Sequence, residues 1–129
     1  MNLLLDTHVL LWWMADDPAL GDRARDAIAD PANGVWVSAA SAWEIAIKAG
    51  LGRLTLPGPV AEVLPAVLVE NDFSPLPITV EHGLRVSEMP PVHADPFDRI
   101  LIAQAITQSW TIVSADAVFA RYPVTLLPA

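Results

Sequence analysis

Cysteine is absent from this 129-residue chain. That excludes a disulfide framework, a thiolate metal site and a cysteine nucleophile. Basic residues are scarce: 7 Lys and Arg stand against 15 Asp and Glu, a formal net charge of −8. Such a balance argues against a broad basic face that grips nucleic acid by its phosphates. It does not exclude nucleic acid held through a divalent cation, which inverts the sign of a local acidic cluster. Long apolar runs are missing too. The run Val9–Ala15 is typical, bracketed by Asp6 and Asp16, and none approaches the ~20 residues of a membrane helix. The N-terminus, Met1-Asn2-Leu3-Leu4-Leu5-Asp6, lacks a basic stretch and meets an acid at once. No signal peptide is therefore expected, and a soluble cytoplasmic protein is. There is no Ser-His-Asp arrangement or Gly-rich phosphate motif. Gly50-Leu51-Gly52 follows a helical pattern, so it is not a dinucleotide fingerprint.

What the chain does have is apolar content, 53% of residues with a mean hydropathy of +0.42. A disordered chain is excluded. The length suits one domain over residues 1–129, burying about two thirds of its unfolded surface. Strands are expected at Asn2–Leu5, Val35–Val37, Leu76–Ile78, Thr111–Val113 and Val124–Leu126. Helices are expected from Thr7, over Gly21–Asp30, Ser38–Ala49, Val60–Val69 with Pro65 as a kink or break, Thr79 to about Glu88, and Pro96–Ser109. Short strands alternating with helices imply an α/β fold with a parallel sheet covered on both faces. Leu3-Leu4-Leu5 lacks polar alternation, as a strand buried on both sides should.

Several acids fall at the joints of this pattern, and each has a structural reading beside a chemical one. Asp6 follows the first strand and, like Thr7, suits a helix cap. Ser41 and Glu44 have capping-box spacing, and Lys48 lies one turn on as an ion-pair partner. Asp95 reads as the cap of a helix with Pro96 at its first position, and Asp98 lies in that helix's first turn. Asp98 has Leu101 and Ile102 on its own face, so it borders a buried stripe. Asp116 follows the turn Ser114-Ala115 and reads as a turn acid rather than a helix cap.

These positions are linked. In an open parallel sheet, ligands bind at the carboxyl ends of the strands. Asp6, the Ser38–Glu44 segment and Asp116 all follow strands, and Asp98 opens a helix at the same edge. Four acids can thus converge, and clustered carboxylates repel unless a hard cation such as Mg²⁺ sits among them. Thr7, Ser114 and Asp95 are secondary candidates. Arg99, Lys48 and His93 are weaker substrate-binding candidates, for which surface ion pairing or a solvent-facing loop position is the alternative. His8 is expected to serve as an ordinary hydrogen-bonding residue. The all-round apolar segment Val9–Met14 calls for a cover. A second copy of the chain, a partner protein, or the Leu51–Val69 segment could supply it.

Four stretches now match a family. Leu4-Leu5-Asp6-Thr7-His8-Val9-Leu10-Leu11-Trp12-Trp13, Ser38-Ala39-Ala40-Ser41-Ala42-Trp43-Glu44-Ile45-Ala46-Ile47-Lys48, Asp95-Pro96-Phe97-Asp98-Arg99-Ile100-Leu101-Ile102-Ala103-Gln104-Ala105 and Val113-Ser114-Ala115-Asp116 occur in order along the whole chain. Together they resemble a PIN-domain ribonuclease of the VapC-like toxin branch of type II toxin–antitoxin systems. The resemblance implies a three-layer α/β/α sandwich and Mg²⁺- or Mn²⁺-dependent cleavage of RNA. It places the acidic quartet on Asp6, Glu44, Asp98 and Asp116, with Asp6, Asp98 and Asp116 toward metal and Glu44 toward a water. It implies an antitoxin partner and a homodimer. Many members carry Asn or Ser where His8 stands. Two alternatives remain: a non-catalytic RNA- or protein-binding module on the same fold, and a phosphatase with an aspartyl nucleophile. The latter chemistry usually wants an acid two residues after the first, where this chain has His8.

Overall fold

A computed structural model describes all residues, Met1–Ala129. Five strands, β1 (Asn2–Leu5), β2 (Gly34–Ser38), β3 (Ser74–Leu76), β4 (Thr111–Ser114) and β5 (Thr125–Pro128), form one sheet. Its order is β3-β2-β1-β4-β5, and every pairing is parallel. The chain works outward from β1 to β2 and β3, then returns to the other side of β1 for β4 and β5. The order therefore reverses between β1 and β4, where a crevice opens at the carboxyl edge.

Alternate residues of each strand feed opposite layers. Leu3, Leu5, Val35, Val37 and Val113 join a core beneath α1 (Thr7–Ala15), α2 (Asp22–Ala29), α3 (Ala39–Gly50) and α4 (Val60–Glu70). Leu4 and Ile112 join a second core with Leu101, Ile102 and Ala105 of α6 (Pro96–Gln108) and with Phe119 and Tyr122. The expected α/β/α sandwich is the observed one. Leu3, Leu4 and Leu5 are all fully buried, the outcome their unbroken apolarity requires.

Most element ends shift by a residue or two, β5 to Thr125–Pro128 among them, and three features differ more. The third strand is Ser74–Leu76, ahead of the expected Leu76–Ile78, because Pro75 and Pro77 leave little to mark register in the sequence. The helix from Thr79 is short, α5 (Val80–Arg85), and tightens into a 3-10 turn over Val86–Glu88. Thr79 caps it as expected, and His82 Nδ1 completes the cap by accepting the Thr79 N–H at 3.1 Å. Pro65 does not end α4, which runs through it to Glu70. Pro65 and Ala61, whose carbonyl loses its partner, both lie on the exposed side where water serves that oxygen. No helix is long and apolar enough to cross a membrane.

The helices start where the strands stop. Asp6 caps α1, Ser38 caps α3, Asp95 caps α6, and Asp116 caps the 3-10 turn Ala117–Arg121. Pro65→Ala should raise the midpoint of urea unfolding, stabilising by about 1–2 kcal/mol. This is less than the ~3 kcal/mol of an interior helix site, because proline also restricts the unfolded chain.

Candidate functional site

Asp6 lies at the crevice between β1 and β4, and three bonds hold it there. Its own N–H donates to Val113 O at 3.0 Å. Its Oδ1 accepts the Val9 N–H at 2.8 Å, and its Oδ2 accepts the Ser114 hydroxyl at 2.5 Å. Only 5% of Asp6 is exposed. Burial pushes its carboxyl above the ordinary 3.8, opposed by the Ser114 and Val9 bonds and by His8, and reinforced by the charge of Glu44. Next to it, the Thr7 hydroxyl donates to Ser41 Oγ at 3.0 Å, a buried bond between α1 and α3.

Glu44, also buried, comes from α3 and pairs with Lys48 at 2.6 Å through Oε2. The Lys48 partnership is as expected, but the capping box is not. Ser38 caps α3 by accepting the Ala40 N–H, and Ser41 lies inside the helix, bonded to Thr7. Ser38 also donates to Gln104 Oε1 at 2.6 Å, and Gln104 Nε2 donates to Pro77 O. This buried bond ties the end of β2 to α6.

Asp98 arrives from the first turn of α6. Its carboxyl is pushed up to about 6, first by burial and then by the charge of Asp95. A bond from His93 opposes this, and the charge of Asp6 adds to it. Asp95 caps α6 as expected, accepting from Phe97 and Asp98 N–H groups at 2.9 and 3.1 Å. Asp6 thus lies within electrostatic reach of both Glu44 and Asp98.

Asp116 stands further out. It is exposed and its carboxylate accepts the Val118 N–H at 3.0 Å, so it is a helix cap after all. The turn Ser114-Ala115 is too short for the chain to do anything but enter the next helical turn, and Asp is a favoured cap. Asp116 remains linked to the crevice, because its N–H donates to Ser114 Oγ at 3.1 Å.

The weaker candidates are more tightly engaged than expected. His93 does not face solvent: Nδ1 is 2.6 Å from Tyr122 Oη, and Nε2 is 3.4 Å from Asp98 Oδ2. Arg99 donates to the carbonyls of Pro90 and Val86 and to Tyr122 Oη. Its Nη1 and Nη2 donors hold the loop before α6. His8 is exposed and lies against Trp12, ring centroids 6.3 Å apart, in place of the expected hydrogen bond. Tyr122 escaped sequence reading, and Ser41 reads there only as a cap, not as the buried partner of Thr7. Ser41 could have been found as a polar residue on the inner face of α3, whereas Tyr122 carries no local signal.

No three Asp, Glu or His side chains stand close enough together to hold a metal ion among themselves. The donors nevertheless suit a hard cation that keeps most of its waters. Mg²⁺ needs only one or two carboxylates, and Asp6 and Asp98 are the two whose carboxyls burial raises. Asp98 bonds within the chain through Oδ2 alone, which leaves Oδ1 available.

Two apolar surfaces flank this edge. Leu11, Trp12 and Met14 of α1 are half-buried and, with Leu54, Leu56, Val63 and Val67, line a groove of about 300 Å³. The Leu51–Val69 segment thus covers α1 only in part. Trp43 and Ile47 of α3 and Leu51, its C-cap, form an exposed stripe at one-turn spacing, 62%, 39% and 61% accessible, and Trp43 shares a cleft with exposed Ile78.

The carboxyl shifts have a measurable consequence. Asp98 binds its proton more tightly folded than unfolded. Its contribution to stability is therefore full below about pH 4 and is lost as pH rises through about 6. In EDTA, urea unfolding across this range should show stability falling with pH, and Asp98→Asn should flatten the fall.

A family model described as PIN domain matches residues 3–124. Ribonuclease VapC22 of Mycobacterium tuberculosis (strain ATCC 25618 / H37Rv) is 32% identical over 126 residues, 89% of this chain and 87% of that protein. Ribonuclease VapC16 of the same organism is 39% identical over 61 residues, 47% of this chain and 43% of that protein. Among solved structures, VapBC2 from Rickettsia felis bound to a promoter DNA fragment superposes with a TM-score of 0.75 at 16% identity, covering 99% of this chain and 98% of that one. DNA-bound VapBC from Salmonella typhimurium gives 0.74 at 13% identity, with coverage of 99% and 98%. At those identities the likeness shows the fold.

Proposed function

The chain belongs to the PIN-domain family, and on that premise we propose that it is a Mg²⁺- or Mn²⁺-dependent endoribonuclease, the toxin of a type II toxin–antitoxin pair. Residues 1–129 are read as one such domain acting in the cytoplasm. The observation that supports the reading is Asp6 at the β1/β4 crevice, in electrostatic reach of Glu44 and of Asp98, with the carboxyls of Asp6 and Asp98 raised by burial. Such a low-dielectric carboxylate group is costly without a counter-ion and suits one with it.

Asp6 and Asp98 would hold the ion, and Asp116, tied to the crevice through Ser114, would complete the site. A bound divalent cation supplies counter-charge for the scissile phosphate and makes water a competent nucleophile at neutral pH. Ser114 and the Val9 N–H fix the Asp6 carboxylate. Glu44, held by Lys48, would orient the attacking water and take its proton. The products of hydrolysis are a 5′-phosphate and a 3′-hydroxyl. With Arg99 and Lys48 already engaged, RNA would be gripped mainly through the metal and local shape, consistent with a net charge of −8.

Asp6→Asn and Asp98→Asn should each lower cleavage of a mixed RNA pool by at least 100-fold while the protein stays folded, and EDTA should do the same to the wild type. Persistent cleavage in EDTA points away from a metal. A folded wild type inert with both Mg²⁺ and Mn²⁺ supports the non-catalytic binding module instead.

The apolar surfaces have natural occupants in this reading. The groove beside Trp12 would take an apolar segment of the antitoxin, and the Trp43–Leu51 stripe would take a second copy of this chain. In this reading the stripe is a dimer face in addition to the cover that α1 calls for. Ile47→Glu should convert a dimer to a monomer in light scattering and leave the far-ultraviolet circular dichroism unchanged.

A further inference from the structure

A chain of polar contacts begins at Arg99 and ends on Asp98. Arg99 Nη1 donates to Tyr122 Oη at 3.0 Å, and a guanidinium can only donate. Tyr122 Oη lies 2.6 Å from His93 Nδ1. With Oη accepting from Arg99, its own O–H donates to Nδ1. Neutral His93 then carries its proton on Nε2, the nitrogen that faces Asp98 Oδ2 at 3.4 Å. Every group is paired in this one direction.

Packing fixes the members. Tyr122 is 4% exposed. The His93 ring meets Tyr122 edge-on at 5.4 Å and Phe119 at 6.5 Å. Arg99 also donates to the carbonyls of Val86 and Pro90, so the same guanidinium secures the loop that carries His93. A half-buried carboxylate without such a partner would turn about its last bond. A ligand's outer hydrogen-bond partner sets its orientation and basicity.

We infer that Tyr122 and His93 are positioning residues for Asp98, holding its Oδ2 so that Oδ1 is presented to the divalent cation. This rests on the metal-dependent reading above. Tyr122 acts only through His93, so the two form one unit rather than two contributions.

The test is the Mn²⁺ concentration that gives half the maximal rise in melting temperature, measured on the whole chain without substrate. Tyr122→Phe and His93→Ala should each raise it about tenfold, and His93→Gln, which keeps an N–H donor, should recover most of the loss. The double variant His93→Ala/Tyr122→Phe should be no worse than His93→Ala alone. Tyr122→Phe should melt near the wild type in EDTA. Unchanged midpoints, or losses that add in the double variant, overturn the inference. So does a weaker Mn²⁺ response matched by an equal fall of the melting temperature in EDTA, which is a purely structural role. If His93→Ala does not fold, Tyr122→Phe and His93→Gln decide. A wild type that does not respond to Mn²⁺ removes the metal reading itself, an outcome distinct from a responsive wild type whose variants respond equally.

Discussion

The Ser114 hydroxyl on Asp6 Oδ2 joins the ends of the two strands between which the sheet reverses its order. Much else follows from that bond and from the Asp6 N–H on Val113 O. Together they lock β1 against β4 at the carboxyl edge and leave a crevice with a buried acid at its floor. α1 must start there, because Asp6 Oδ1 caps it. Asp116 must lie nearby, because Ser114 Oγ also accepts its N–H. Loosening this pair would disturb a strand register, a helix start and the candidate site at once.

Capping and chemistry are usually weighed as rival explanations for an acid at a helix start. Here they share one side chain. A carboxylate has two oxygens and several lone pairs, so Asp6 caps α1 with Oδ1 and still meets Ser114 with Oδ2. Asp95, Ser38 and Asp116 are caps at the same edge. Helix starts of positive polarity therefore point at the region where negative charge gathers, which lowers the cost of gathering it. Burial still wins at Asp6 and Asp98, whose carboxyls remain above their ordinary value.

The acidic balance of the chain constrains its interactions. Arg99 braces the loop before α6 and Lys48 neutralises Glu44. Few cations are left to grip a polyanion. The exposed surface offers apolar residues in their place, on the α3 stripe and in the groove beside α1. A protein so arranged suits partners that bury apolar area.

The amino-acid order by itself determined the layers and the edge. Leu3-Leu4-Leu5 can only be a strand covered on both faces, Asp95-Pro96 can only start a helix, and the four motifs in order resemble one family. Local chemistry sufficed for these, since apolar runs, caps and proline act within a few residues. The outcome at Pro65 depended on which side of α4 faces water, and the β3 register on a neighbouring strand, so neither was legible. Ser41 gave up its expected cap because Ser38, one turn earlier, met both Ala40 and Gln104. Tertiary structure alone decided that His93 turns inward between Tyr122 and Asp98, 29 and 5 residues away. It alone decided which carboxyls are raised, because desolvation depends on what packs over a group, and that covering comes from segments distant in the chain.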